Sequence, residues 1–320
     1  MKNYIIELNT ISALKILFIN SFYLILLFQL LIVEFSLAQD KDHLKKDFVR
    51  MGALTNTVVG VELKDADAAF KIWTDVLVKK FKAKNVYDFT FEYKMYENID
   101  GLKNDIKTGL INYFNVPTQD YFYLNLGSDF IPFLSGTNHP KQKFTHYYLV
   151  TSSNNKIKDL KELVSKKVNI SKSIIDQIGA IWLKTVLRDE MGARLYKSVN
   201  LQTVNNNENE DLLAVFFNKT DYALVSQSTF DLASELNPSL LKKVQIIRSS
   251  GNLVTGLFVY RKGMNSNTIK VIKDIVSDLH NDNEGRQILN LFKISKIIPI
   301  DKGDLTECEK VINKYNKYFK

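Results

Sequence analysis

The segment YDFTFEYKMY, residues 87–96, alternates strictly, with Tyr87, Phe89, Phe91, Tyr93 and Met95 on one side and Asp88, Thr90, Glu92 and Lys94 on the other. A period of two sends successive side chains to opposite faces of a pleated strand, so the segment is a half-buried strand. Before it, ADAAFKIWTDVLVKKF brings Ala69, Ile72, Trp73, Val76 and Leu77 to one helix face, and FVRMGAL is a short apolar strand. The same change of period recurs along the chain. NIDGLKNDIKTG is a short helix ended by Gly109, LINYFNV a strand stopped by Pro117, TQDYFYL another turn of helix, and DFIPFL and THYYLVT are strands. KIKDLKELVSKKVNIS is a helix leading into a strand, VNISKSIIDQIGAIWLKTVL opens a longer helix, and DLLAVFFNKTDYALVSQSTFDLASEL reads helix, turn, strand, helix. VQIIRSS and LVTGLFVYRKG are strands, and NTIKVIKDIVSDL and EGRQILNLF are the helices that close the chain. Strands alternating with helices build α/β folds whose mainly parallel sheets are flanked by helices.

The N-terminus follows another pattern. The apolar run FYLILLFQLLIV, 22–33, ends at Glu34 and is shorter than the ~20 residues a membrane-spanning helix needs. It reads as a signal peptide over residues 1–38, with Ser36 and Ala38 placing cleavage before Gln39. The alternative is an uncleaved anchor. A cleaved product is periplasmic or secreted. Its single cysteine, Cys308, excludes an intramolecular disulfide, so stability has to come from the core. The formal charge of +8 favours anionic ligands. The lysines are nevertheless scattered through segments such as KKFKAK and KDLKELVSKK, as on the solvated faces of amphipathic helices, and no nucleic-acid patch is expected.

Enzyme signatures are missing. The chain has no nucleophile elbow, Walker loop, dinucleotide fingerprint or zinc-protease helix motif, so neither catalysis nor a cofactor is expected. His43, His139, His146 and His280 are too dispersed to suggest a metal site, and Cys308 lies among charged residues with no nucleophilic role. Glu208, Glu210 and Asp211 fall in the Asn-rich NNNENED, which reads as a solvated helix start.

Three segments in order, LKNDIKTGLINYFNVPTQDYFYL, IKDLKELVSKKVNIS and LLAVFFNKTDYALVSQSTFDLASELNPSLLKKVQIIRSS, resemble the phosphate, phosphite and phosphonate type of ABC-transporter periplasmic substrate-binding protein. ADAAFKIWTDVL and GRQILNLF are similar to that family's first and last helices. The resemblance implies a type 2 periplasmic binding protein fold of two lobes joined by a two-strand hinge. Lobe 1 would hold 40–150 with 245–320 and lobe 2 would hold 151–244, with crossings near 147–151 and 244–249. Ligands in open α/β sheets collect beyond the carboxyl ends of strands. The expected ligand-binding residues are therefore Thr55, Asn56, Thr118, Gln119, Asp120, Tyr121, Ser171, Lys172, Ser173, Ser226, Gln227 and Ser228. The implied function is capture of a small oxyanion for delivery to a membrane permease, by a chain expected to be monomeric. The alternative is a sensor subunit that signals to a membrane receptor.

Ser171-Lys172-Ser173 carries two readings. A helix N-terminus offers unpaired N–H groups and partial positive charge to an oxyanion. Ser173 and Asp176 also stand at the spacing of a helix cap and its first-turn acid. The sequence departs from the family in three places: this loop has no Gly, Asn218 stands where a turn Gly is usual, and Asn112 where an Asp is usual. Asn tolerates the left-handed conformation, so the turn at Asn218 is expected to survive. Asp221 is expected to be structural.

Overall fold

The computed structural model describes residues 47–55, 63–84, 89–139 and 142–320. The signal peptide, its cleavage site and Asn56 lie outside the described residues.

The first sheet is built from β1 (Asp47–Leu54), β2 (Phe89–Tyr96), β3 (Tyr113–Pro117), β4 (Phe130–Thr137), β10 (Gly256–Arg261) and β11 (Lys296–Pro299), in the order β11-β4-β10-β3-β1-β2. The second holds β5 (Tyr147–Ser152), β6 (Lys167–Ile170), β7 (Asn200–Gln202), β8 (Tyr222–Ser226) and β9 (Val244–Ser249), in the order β7-β6-β8-β5-β9. The helices are α1 (Leu63–Ala83), α2 (Ile99–Lys107), α3 (Thr118–Leu124), α4 (Ile178–Tyr196), α5 (Glu208–Phe216), α6 (Gln227–Leu236), α7 (Leu240–Lys243), α8 (Ser266–Asp278), α9 (Asn283–Leu291) and α10 (Thr306–Phe319). Two sheets flanked by helices are the architecture that the resemblance implied.

Both sheets are mixed rather than mainly parallel. β1 runs parallel to β3, and β6 runs parallel to both β7 and β8. β10 runs antiparallel to β3 and β4, β11 to β4, and β5 to β8 and β9. The reversals occur where the chain changes sheet or returns, since a strand entering from the other sheet does not arrive by the helical crossover that enforces parallel pairing. The crossing segments follow β4 and precede β10, and they touch at the isolated bridge between Thr145 and Leu253. Residues 147–151 and 244–249, expected to be the crossings, are instead the paired strands β5 and β9 just beyond them.

Helix α1 shows how the pattern becomes packing. Phe70, Trp73, Leu77 and Phe81 are at most 2% exposed, whereas Ile72 is 48% exposed. Of the face expected from the sequence, Ala69, Trp73, Val76 and Leu77 are buried, and Phe70 takes the place given to Ile72. Trp73 stacks on Phe258 of β10 and meets Phe292 edge-on, which fixes α1 against the sheet.

Two elements are shorter than the sequence suggested. KIKDLKELVSKK forms only a 3₁₀ turn, Leu160–Leu163, closed by a capping box between Asp159 and Glu162. It is cut short by Ser165, whose φ of 64° turns the chain into β6. In the longer helix, Ser173 is not the cap. α4 begins at Ile178 with Gln177 at its N-cap position, because Lys172 and Ser173 donate their N–H groups to Asn205 and Asn206 and hold 171–177 in successive turns. Beyond EGRQILNLF, β11 and α10 extend the fold past the last element expected. Cys308, on the inner face of α10, is fully buried and accepts the Val254 N–H, so burial pushes its thiol up to about 11.

Candidate functional site

A cavity of about 340 Å³ lies between the two sheets. From the first sheet, Asn115, Val116 and Pro117 of β3 line it, with Thr255 and Gly256 where β10 begins. From the second come Tyr147 of β5, Ser173 and Gln177 ahead of α4, Asn207 and Glu208 at the start of α5, and Ser226 and Thr229 at the start of α6. Phe70, Trp73, Phe258 and Phe292 form an aromatic floor, and Lys293 stands on the same side. Polar groups are therefore concentrated on one wall and aromatic surface on the other.

The polar wall is assembled by the Asn-rich stretch. Asn207 caps α5 by accepting the Glu210 N–H at 3.1 Å, and the carbonyls of Asn205 and Asn206 clamp the turn 171–174. Asp211 is fully buried and receives Asn169 at 3.0 Å and Asn205 at 2.6 Å on one oxygen, while its other oxygen has no partner. Burial raises its carboxyl above the usual range, against the two amide hydrogen bonds. Glu208 lines the cavity, and its carboxylate accepts the Ser226 N–H. Burial raises its carboxyl, opposed by hydrogen bonds from Ser226 and Thr229. Neither acid belongs to the solvated helix start that the sequence suggested. Glu208, Asp211, Leu212 and Val215 follow the spacing i, i+3, i+4, i+7, which sets both acids on the stripe that packs inward. That spacing is the signal by which the sequence could have revealed them.

Of the residues singled out from the sequence, Ser173 and Ser226 line the cavity. Ser171 is fully buried behind them and shares a hydrogen bond of 2.9 Å with Ser173, while Lys172 is exposed. The N–H groups of Lys172, Ser173 and Ile174 all donate to carbonyls, which leaves hydroxyls as the donors of this turn. Ser228 bonds Ser226 at 3.1 Å, and the Gln227 N–H is taken by the His146 carbonyl. Thr118 is fully buried with its hydroxyl unpartnered, and the Gln119 side-chain oxygen is likewise buried without a partner. Asp120 and Tyr121 are half-buried on α3, where burial raises the Tyr121 phenol. Thr55 follows β1 outside the cavity lining. Asn115, Gln177, Thr229 and Thr255 were missed altogether, and Glu208 was read as solvated rather than as part of the cavity. Among the described residues no group of His, Cys, Asp and Glu is placed to hold a metal ion.

Residues 64–305 match the family described as ABC transporter, phosphonate, periplasmic substrate-binding protein. No curated protein sequence matches the chain. Among solved structures, PhnD1 of Prochlorococcus marinus in complex with methylphosphonate aligns with a TM-score of 0.55 at 14% identity, covering 85% of this chain and 100% of that one. A Xanthomonas citri protein bound to ATP gives 0.57 at 13%, covering 85% and 98%. A binding component of a phosphonate transporter from Pseudomonas aeruginosa gives 0.53 at 10%, covering 86% and 88%. At these identities the likeness is one of fold.

Proposed function

The chain belongs to the phosphonate periplasmic substrate-binding family of ABC transporters, and from that premise we propose that it captures a small oxyanion of the phosphonate, phosphite or phosphate class between its sheets and presents it to a membrane permease. The observation that carries the reading is the cavity lined from both sheets beside the two crossings. In this reading, 40–150 with 245–320 and 151–244 act as lobes that meet at the paired strands β5 and β9. A ligand touching both walls favours the closed arrangement by its differential affinity for it. Ser173, Ser226 and Thr229 supply hydroxyl donors, and Asn115, Gln177 and Asn207 supply amides. No helix among the described residues is long and apolar enough to cross a membrane. The chain acts by binding and not by catalysis.

Thermal unfolding with phosphate, phosphite, methylphosphonate and taurine tests the assignment. A ligand at a hundred times its dissociation constant stabilises the folded state by about 2.7 kcal/mol. For a chain of this length that is a melting shift of roughly 5 to 10 °C. Replacing both Ser173 and Ser226 by Ala is expected to remove most of the shift. A shift of full size in that double variant would place the ligand elsewhere.

A further inference from the structure

The acidic point of the cavity stands where the oxyanion reading needs donors. Glu208 opens α5, and its carboxylate takes the Ser226 N–H, with the Ser226 and Thr229 hydroxyls beside it lowering its carboxyl and the Ser226 hydroxyl donating to Thr229 at 3.0 Å. Ser173 lines the same wall. A backbone N–H and several hydroxyls around one carboxylate are the donors a small oxyanion would use, so Glu208 already holds them as an internal anion. Two full negative charges cannot share these donors without strong repulsion. One proton placed between them turns the repulsion into a hydrogen bond. We infer that Glu208 couples oxyanion capture to the uptake of one proton, held between its carboxyl and the bound oxyanion. The inference rests on the cavity being an oxyanion site.

The surroundings favour a proton here. Burial raises the Glu208 carboxyl, and Asp211, three residues along α5, raises it further. Glu210 turns away to the Asn206 N–H and the Asn207 amide. From β5, Tyr147 lines the cavity as a phenol that burial and the Glu208 charge keep protonated, and Tyr148 lies next to it in the strand. The other elements packed on α5 carry Tyr222 on β8, Lys167 on β6, and Asp231 and Glu235 on α6. Lys293 lines the cavity from the first-sheet side, following α9. On Glu208 itself, the charge of Asp211 raises the carboxyl and the Ser226 and Thr229 groups lower it.

Calorimetric titration with methylphosphonate, from about pH 5 to about pH 8, on wild type and Glu208→Gln tests this. The ligand's own titration is common to both proteins, so the difference between the two profiles belongs to Glu208. Relative to the variant, the wild-type affinity is expected to fall by up to about tenfold per pH unit on the alkaline side, as linkage to one proton requires. The variant binds more tightly at about pH 8. Should the variant fail to fold, titration of wild type in two buffers of different ionisation heat still decides. Proton uptake of about one per ligand, beyond what free methylphosphonate supplies, supports the coupling. Parallel profiles, or uptake equal to the ligand's own, overturn the coupling and leave the oxyanion site standing. Absence of binding by both proteins across the range overturns the oxyanion site itself.

Discussion

Asn112 uses both ends of its amide. Its oxygen accepts the Arg50 N–H at 2.9 Å and its nitrogen donates to the Phe48 carbonyl at 2.6 Å, so one side chain ties the approach to β3 onto β1. A carboxylate in its place keeps the first bond, loses the second and sets a negative charge against a carbonyl. Asn112→Asp is therefore expected to lower stability by about 1–3 kcal/mol near neutral pH, measured by urea unfolding. Asn218 confirms the other departure, since its φ of 56° is the left-handed turn that Asn tolerates. Asp221 is structural as expected, accepting the Lys167 N–H at 3.0 Å. Asp211 sets a pH dependence. Burial raises its folded-state carboxyl, so the folded chain binds this proton more tightly than the unfolded chain. Stability from this group is present at acidic pH and is lost as pH rises through the raised value. Asp211→Asn is expected to flatten the decline of melting temperature as pH rises above the ordinary carboxylate range. An unchanged slope would show that the burial of Asp211 does not govern it.

The elements most legible in the sequence were those with unbroken periodicity, such as α1, β2 and the run from α5 through β8 to α6. The boundaries that failed did so where side chains or turns compete with the helix, at Ser165 and along 171–177. α10 was missed although Cys308, Val311 and Ile312 keep a helical spacing, because the polar residues between them hide a narrow stripe. That stripe packs on the core, and Ile312→Ala is expected to destabilise by about 2–4 kcal/mol in equilibrium unfolding. In α4, Gly179 lies under Tyr147, where an added Cβ would stand 2.5 Å from the phenol ring. Gly179→Ala is therefore expected to cost about 1–3 kcal/mol and to push Tyr147 toward the cavity. A crystal structure of the variant with Tyr147 unmoved would contradict that expectation.

The whole molecule was legible as an alternation of elements, but the cavity was not. Sequence spacing locates the loops beyond strands and cannot say which of their side chains meet across two sheets. Thr118 to Tyr121 follow β3 as expected, yet it is Asn115 to Pro117, within the strand itself, that line the cavity. Helix α10 bears on the motion that ligand capture would require. It leaves the first sheet after β11, packs on α3 and α4, and ties to α4 through Lys314 and Asp189 at 2.6 Å. Its Cys308 receives the Val254 N–H from the returning crossing. Two adjacent crossings alone would act as a flexible tape, free to twist as well as to bend. In the two-lobe reading proposed above, a helix packed on both bodies beside that tape would resist twisting more than bending, so the two walls would meet in the same register at every closure.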